Sequence, residues 1–319
     1  MGKRVLTHYR FGKAFAWLNR NLRSRRKSIK NIRQLCKDYG LIADGCSLCK
    51  SQDFTLVAEG DRYGFDLKKQ LCNQCGLLQT YPAPHPEFHK QFYSHHYRSL
   101  YLKQQQVDYR SVIQEQKTKG DKYLSYFRNH GLADDLAQLE VIEIGCSSGG
   151  TLNALKPFVK QVSGCDLDIQ AIKFAQSNFG IDVQVGMYPM VKSNLRKLFI
   201  LSHVLEHVFN PLDTLREIRQ IMQLGDFLFI AVPGLNAVAE GSYKNDLRRY
   251  FHIAHVTDFT GGTLCNVARQ AGFKVLNYDE EINGLFTADK VVDWTRNPAD
   301  TPENLVRIES TYAGLPPHL

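Results

Sequence analysis

Four of the eight cysteines form two C-x-x-C pairs, Cys46/Cys49 and Cys72/Cys75, with 22 residues between the pairs. Each pair turns two thiolates toward one point, and two pairs complete the tetrahedral sulfur set that Zn²⁺ prefers. Gly76 follows the second pair and gives its turn the backbone freedom of a zinc knuckle. The alternative is a set of buried or redox-active thiols. Because the cysteines are paired, their spacing predicts a structural zinc site with these four ligands.

A glycine-rich turn follows the apolar run 141–144. Gly145 and Gly149 bracket this turn and allow backbone amides to approach a ligand where the next helix begins. The spacing differs from the G-x-G-x-x-G pattern that binds dinucleotides. About 20 residues further on, a second apolar segment ends at Asp166, at the position of an acid that binds ribose hydroxyls. The pattern predicts a site for a nucleoside-type cofactor, and a Rossmann domain for another nucleotide is the alternative.

The segment 201–208 contains His203-x-x-Glu206-His207, which formally matches an inverted zinc-protease motif. That motif requires both histidines on one face of a helix, together with a third ligand. Here the segment leaves a predicted strand and soon reaches a proline. The context therefore argues against a protease.

The elements that must position these residues alternate between strand and helix from residue 140 onward. A good helix start, with Asn210 as the cap and Pro211 at the first position, marks one of the helices. This alternation predicts a doubly wound, mostly parallel α/β sheet. The predicted strands are 141–144, 160–165, 181–185, 198–201, 227–232 and 273–278, and the helices are 151–159, 169–178, 211–222 and 262–270.

The glycine turn, with Glu143 just before it, resembles the first motif of class I S-adenosylmethionine (SAM)-dependent methyltransferases. Asp166 matches their ribose-binding acid, although Ser147 stands where the family usually has a third glycine. The segment 201–208 resembles their HVLEH segment, which borders both cofactor and acceptor. The resemblance implies a Rossmann-like class I methyltransferase sheet and SAM as the cofactor. The cofactor contacts that it implies are Glu143, Gly145, Cys146, Ser147, Gly149, Asp166, Leu167 and His203.

The part of the chain before the sheet narrows this resemblance. The cysteine pairs, Asp61-Arg-Tyr-Gly64 and Tyr81-Pro-Ala-Pro84 are similar to bacterial methyltransferases that carry an N-terminal zinc-binding domain. That group modifies deoxysugars or surface polysaccharides. The similarity covers roughly residues 44–280 and implies a sugar or glycan-type acceptor.

The segment 251–259 also resembles that group, whose sugar C-methyltransferases carry a Glu-His pair here. His255 matches the histidine, but Ala254 replaces the glutamate and Asp258 replaces a tyrosine. The resemblance therefore favours methylation of a hydroxyl oxygen over methylation of carbon. A neutral imidazole near pH 7 can accept a hydroxyl proton, so His207 and His255 are the candidate catalytic bases. For each of them the alternative is a packing or capping role.

The positive charge is concentrated at the N-terminus. Residues 1–40 hold twelve of the 40 Lys and Arg residues and a single acid, and the net charge of the chain is +8. Phe11, Phe15, Leu18 and Leu22 recur at helical spacing among these basic residues. An apolar face beside basic residues is typical of an interfacial helix. We therefore expect residues 1–35 to contact a membrane surface, which would suit a lipid-linked glycan acceptor. A solvated or packed charge run is the alternative.

The sequence also bears on the location of the protein and on its alternative functions. The sequence has neither a signal peptide nor a membrane span, which predicts a cytoplasmic protein, peripheral to the inner face of the membrane. One alternative function is an RNA methyltransferase that uses the basic arm, although nucleic acid is the weaker prediction as a partner. Another is a non-catalytic zinc scaffold.

The chain is expected to have five parts. They are a basic arm (1–40), a zinc-ribbon module (41–85), a helical connector (86–130), a methyltransferase domain (131–285) and a C-terminal tail (286–319).

Overall fold

The structure is a computed structural model, and it describes residues 22–101, 109–238 and 240–288. Most of the apolar stripe expected to face a membrane, and nearly all of the expected tail, lie outside these ranges. None of the helices that the structure describes is long and apolar enough to cross a membrane.

Between residues 22 and 101, the structure has small antiparallel sheets and three helices. Strands β2, β3 and β4 pair in order, and β1 pairs with β5. The bounds are α1 (Leu22–Tyr39), β1 (Leu41–Ile42), β2 (Phe54–Glu59), β3 (Lys68–Cys72), β4 (Leu78–Thr80), β5 (Ala83–Pro84), α2 (Pro86–His95) and α3 (Tyr97–Tyr101). Cys46 and Cys49 lie in the loop between β1 and β2, and Cys72 and Cys75 lie where β3 turns into β4, an arrangement that suits a zinc ribbon.

Helix α1 is the part of the basic arm that the structure describes. Ile29 and Ile32, three residues apart and therefore on one helix face, are buried in a cluster with Phe88 and Phe92 of α2. Arg33 donates to the carbonyl oxygen of Gly64 at 3.0 Å. This end of the arm therefore packs on the module, and its apolar face is already covered.

The second part is an α/β unit, as the sequence predicts. Strands β6 to β10 are parallel, and β6, β9 and β10 at the centre are almost wholly buried, which suits their mainly apolar sequences. The bounds are α4 (Tyr109–Phe127), β6 (Glu140–Ile144), α5 (Gly150–Leu155), β7 (Gln161–Asp166), α6 (Ile169–Phe179), β8 (Asp182–Val185), β9 (Lys197–Ser202), α7 (Pro211–Ile221), β10 (Phe227–Ala231), α8 (Leu247–Tyr250), β11 (Thr257–Asp258), α9 (Gly261–Gln270), β12 (Phe273–Tyr278) and β13 (Asn283–Ala288).

The main sheet has seven strands in the order β12-β13-β10-β9-β6-β7-β8. Strand β13 runs antiparallel to both of its neighbours, so the sheet is mixed. The sequence pattern does not predict β13, because its first two residues, Asn283 and Gly284, are a turn signal. The strand crosses the boundary expected between residues 285 and 286.

Helix α4 covers the start of α5. Gly120 permits this close approach, since a Cβ atom there would lie 2.7 Å from the Cβ of Ala154. The side-chain oxygen of Gln116 accepts from the Ser148 hydroxyl at 2.8 Å and from the Gly150 amide at 3.0 Å. The second half of the expected connector is therefore a layer of the α/β unit, and it fixes the glycine turn.

Strand β11 joins the two parts of the chain. It extends the N-terminal sheet by pairing with β4, so that Thr257 lies opposite Gln79 and Asp258 opposite Leu78. Three of the four paired cysteines also share one buried cluster with Phe259 and other residues of the α/β unit. The two parts therefore have a common core.

Candidate active site and cysteine cluster

The two cysteine pairs meet in one cluster. The sulfur of Cys46 lies 3.5 Å from that of Cys75, and Cys49 lies 3.4 Å from Cys72. All four sulfurs are within 4.8 Å of one another, and none of them forms a disulfide. A tetrahedral site with Zn–S bonds of about 2.3 Å separates its sulfurs by roughly 3.8 Å. The cluster therefore has the size and the donor set of a structural zinc site.

The turns that carry the two pairs have matching geometry. The residue after each pair is left-handed, with φ of 62° at Lys50 and 78° at Gly76. The amide of each of these residues donates to the carbonyl oxygen of the first cysteine of its pair, at 2.9 Å in both turns. Hydrogen bonds from Cys46 and Cys75 lower the pKa of the Cys72 thiol, whereas contacts with Cys46 and Cys72 raise the pKa of Cys75, so Cys72 is the thiol of this pair that ionises first.

The glycine turn lies at the carboxyl end of β6. Gly145 has φ of 80°, and a Cβ atom there would lie 2.6 Å from Val204, so the turn packs tightly on the segment after β9. Ser147 has φ of 47°, a conformation that glycine adopts far more easily than serine. The serine therefore keeps the backbone shape that the family's usual glycine would give. Gly149 is also left-handed and is the N-cap of α5.

Asp166 ends β7, the strand next to β6. Its carboxylate accepts the amides of Ser147 at 2.8 Å and Asp168 at 2.7 Å, one on each oxygen. Each carboxylate oxygen has a second lone pair, so the group keeps the capacity to accept from ribose hydroxyls. Leu167 follows with 68% of its surface exposed, and its apolar side chain is available to pack against a base.

The residues around the turn fit SAM. Glu143 is 3% exposed, and its Oε2 atom has no hydrogen-bond partner among the described residues. Burial raises the pKa of this carboxyl to about 8. A buried polar atom without a partner beside a glycine cradle suits a polar ligand group. The side chain of Cys146 is buried in the core, so this residue can offer only its backbone to the cofactor.

Directly after β9, the buried carboxylate of Glu206 lies close to three histidines. The Oε1 atom of Glu206 lies 3.3 Å from His203 Nδ1, 3.6 Å from His207 Nε2 and 3.9 Å from His255 Nε2. Glu206 and His207 belong to a short 3₁₀ turn, which also rules out the long helix of the protease motif. Since Val204 of the same segment contacts Gly145, the histidine cluster lies beside the cofactor edge.

The hydrogen bonds of His207 define its tautomer. Its Nδ1 atom lies 3.0 Å from the carbonyl oxygen of Ala254 and 2.8 Å from the Tyr93 hydroxyl. A carbonyl oxygen can only accept, so Nδ1 carries the proton and Nε2 is free to accept one. The side chain of His207 is 17% exposed, against 5% for His255. His207 is therefore the easier of the two for an acceptor to reach.

The charges in the cluster oppose one another. Burial alone would raise the pKa of Glu206, but His207 and His203 outweigh it and bring that pKa below its usual value. Burial, followed by the neighbouring His252, holds the pKa of His255 well below its ordinary value. The cluster therefore presents an ionised carboxylate beside a neutral His255 at pH 7.

The structure brings the predicted residues together at two places. The expected metal ligands form the cysteine cluster. The expected cofactor contacts and His207 lie at the carboxyl ends of β6, β7 and β9, and His255 joins them through the histidine cluster. Sequence reasoning missed Glu206, Gln116 and Tyr93. Glu206 stood between two singled-out histidines, so its spacing was the available signal.

The parallel sheet, the glycine turn and the acid after β7 define a Rossmann-like α/β protein that can bind a nucleoside cofactor. A family model described as a methyltransferase domain matches residues 95–278, over half of the chain. The chain belongs to this family and is a class I SAM-dependent methyltransferase, as the glycine turn led us to expect.

Solved structures with a similar fold include Streptomyces venezuelae DesVI, with 10% identity over 58% of this chain and 100% of that chain and a TM-score of 0.44. Human N-acetylserotonin methyltransferase in complex with SAM has 15% identity over 56% of each chain and a TM-score of 0.42. A SAM-dependent methyltransferase from Clostridium acetobutylicum has 11% identity over 63% of this chain and 99% of that chain, with a TM-score of 0.41. No curated protein sequence matches the chain.

Proposed function

We propose that this methyltransferase methylates a hydroxyl oxygen of a sugar or glycan acceptor, and that its cysteine cluster holds a structural zinc ion. The observation that carries the acceptor chemistry is the histidine cluster around Glu206, which lies beside the glycine turn. A hydroxyl group must lose its proton as it is methylated. This cluster places acid–base side chains beside the cofactor edge.

Bound SAM supplies an electrophilic methyl group. His207 Nε2 accepts the hydroxyl proton, because Nδ1 is already committed to the carbonyl oxygen of Ala254. The nearby Glu206 carboxylate stabilises the imidazolium that forms. The Tyr93 hydroxyl bonds the same ring and holds its orientation. His255, buried and neutral, lies behind the carboxylate as the second candidate base.

Methylation of carbon is a second candidate, favoured by one contact. Ala254 stands where the sugar C-methyltransferases have glutamate, but Glu206 places a carboxylate oxygen 3.9 Å from His255 Nε2. The Glu-His pair missing from the local sequence is therefore restored by a distant part of the chain. This pair could remove a proton from an activated carbon acid.

Isotope-labelled SAM, incubated with an extract of the source cell, tests the acceptor class. We expect the labelled product in the carbohydrate fraction, resistant to nuclease, with the methyl group on oxygen in its NMR spectrum. A methyl group on carbon would replace the first candidate by the second. Label in nucleic acid would contradict both and support the basic-arm alternative.

The role of His207 is tested by His207→Gln. Loss of a general base lowers kcat by about 10²–10⁴-fold. SAM affinity should stay within about twofold, because the cofactor contacts expected from the sequence do not include this side chain. The matched control is His130→Gln, an exposed histidine that bonds the backbone of Tyr126. A His207→Gln enzyme with unchanged kcat would assign the proton to another group.

A further inference from the structure

The segment that carries His255 is held by the N-terminal module. Lys69 on β3 is fully buried, and its ammonium donates to the carbonyl oxygen of His255 at 2.7 Å and to Asp258 Oδ2 at 2.6 Å. Thr80 on β4 adds a bond from its hydroxyl to the same carbonyl oxygen at 3.2 Å, and its amide donates to Val256 at 2.8 Å. The module therefore fixes both the backbone of His255 and the carboxylate of Asp258.

The same segment holds the turn that carries the rest of the histidine cluster. The amide of Val256 donates to the carbonyl oxygen of Glu206 at 2.9 Å. The carbonyl oxygen of Ala254 receives the Nδ1 proton of His207 at 3.0 Å. The segment is thus bonded to the module on one side and to the 3₁₀ turn on the other. A shift of the module would move the acid–base groups without passing through the glycine turn.

Asp258 also faces the imidazole of His255. Its Oδ1 atom lies 3.9 Å from His255 Nδ1, and within the described ranges neither atom has a hydrogen-bond partner. His255 therefore lies between two carboxylates, Asp258 at Nδ1 and Glu206 at Nε2, and the place of Asp258 helps to decide which ring nitrogen carries the proton. Lys69 keeps Asp258 in this place, and its charge balances that of the carboxylate.

Strand β3 links this ion pair to the cysteine cluster, because it runs from Lys68 to Cys72. A metal ion that holds Cys72 would fix the end of the strand only three residues from Lys69. We infer that Lys69 and Asp258 are positioning residues that carry metal occupancy of the cysteine cluster to His255, and leave the cofactor site unchanged. The inference rests on the proposed acid–base role of the histidine cluster.

The test is the double variant Lys69→Met/Asp258→Leu in the full chain. A single substitution would leave one buried charge unpaired and could prevent folding, whereas the double variant removes both charges. The readout is the ¹⁵N imidazole spectrum of His255 at pH 7, assigned by comparison with His255→Gln. We expect the two imidazole nitrogen resonances of His255 to shift in the double variant, because no carboxylate then faces Nδ1. The Kd for SAM, measured by calorimetry, should change by less than about twofold.

Lys197→Met is the matched control. Lys197 is also fully buried, but it lies at the start of β9 and donates to the carbonyl oxygen of Leu195. Its replacement should leave the His255 spectrum unchanged. Removing the metal with a chelator, or by Cys72→Ser/Cys75→Ser, should reproduce the change seen in the double variant.

Three results would overturn the inference. The first is an unchanged His255 spectrum in the double variant. The second is a Kd for SAM that rises in the double variant beyond the twofold limit given above. The third is a metal ion that survives Cys72→Ser/Cys75→Ser and disappears with Glu206→Gln, because His255 would then be oriented by that ion. None of these measurements needs the acceptor. Failure of the positioning role can therefore be told from failure of the proposed sugar methylation.

Discussion

Asp166 shows how a single carboxylate can be fixed by the fold and still have capacity for a ligand. Asp166→Ala removes the charged acceptor expected to bind the ribose, a contact worth about 1.5–3 kcal/mol. The Kd for SAM should therefore rise by roughly 10- to 150-fold in calorimetry. Asp182→Ala, at the exposed start of β8, is the control and should leave the Kd unchanged. Equal affinities in the two variants would remove Asp166 from the cofactor site.

Glu143 gives a prediction for pH. Burial raises the pKa of this carboxyl from 4.5 to about 8, so the folded protein without SAM binds the proton more tightly than the unfolded chain does. This contribution to stability is complete below pH 4.5 and is lost as pH rises toward 8, by an amount on the order of a few kcal/mol. Glu143→Gln should remove this loss of stability. The thermal midpoint of the variant minus that of the natural sequence should therefore increase between pH 5 and pH 8. Glu115→Gln, at an exposed site on α4, should show no such trend.

Gly145 tests the tight contact between the glycine turn and the segment after β9. Gly145→Ala combines left-handed strain with a Cβ atom only 2.6 Å from Val204. We expect weaker SAM binding and a loss of stability of about 2 kcal/mol or more. Gly131→Ala has similar strain, with φ of 87°, but open space around the added atom. The control should lose about 1 kcal/mol and keep its SAM affinity; an equal effect on SAM affinity in both variants would mean that the contact is unimportant.

The positions of individual residues were predictable from sequence where their pattern is local. The cysteine pairs, Gly145 and Asp166 lie within short patterns whose spacing carries the chemistry. The contact of Glu206 with His255 was not predictable in this way, because the two residues are 49 positions apart and only the fold brings them together. Ser147 departs from the family's sequence pattern and still adopts a left-handed backbone, so this departure did not predict a change in the shape of the turn.

Among the elements, the central strands β6, β9 and β10 were predictable because they are buried on both faces and have mainly apolar sequences. Strand β11 was not, because it has two residues and exists only through its pairing with β4, far away in the sequence. The N-cap of α7 was predicted and is present, with the Asn210 side chain accepting from the Asp213 amide. Short-range rules therefore predicted the α/β unit better than its junction with the module.

The turn after β2 gives a prediction at the scale of an element. The buried carboxylate of Asp61 accepts the amides of Tyr63, Phe65 and Ile253 at 2.8–3.0 Å, and the last of these belongs to the segment that leads to His255. In Asp61→Asn, the new NH₂ group would face at least one of these N–H donors. We expect the free energy of unfolding in urea to fall by about 1–3 kcal/mol. The exposed Asp66→Asn is the control, and equal stability of the two variants would show that the junction does not depend on this carboxylate.

At the scale of the whole molecule, the module and the α/β unit should unfold together, since they share β11 and one core cluster. We predict one zinc ion per chain, and Cys72→Ser/Cys75→Ser should lose it in metal analysis. The variant should also melt at a lower temperature, in a single transition reported both by the module and by the main sheet. Cys36→Ser, outside the cluster, is the control. Stoichiometric zinc in the double variant would locate the metal elsewhere.

The pairing of β11 with β4 also has a consequence for synthesis. The edge of β4 can be covered only when Asp258 has left the ribosome, roughly 180 residues after Thr80. At 5–20 residues per second, the nascent module waits about 9–36 s with an open strand edge. Unpaired edges are sites of aggregation. The sheet that contains β2, β3 and β4 is therefore translated early and completed late, and a truncated nascent chain that ends before β11 should depend on chaperones to remain unaggregated.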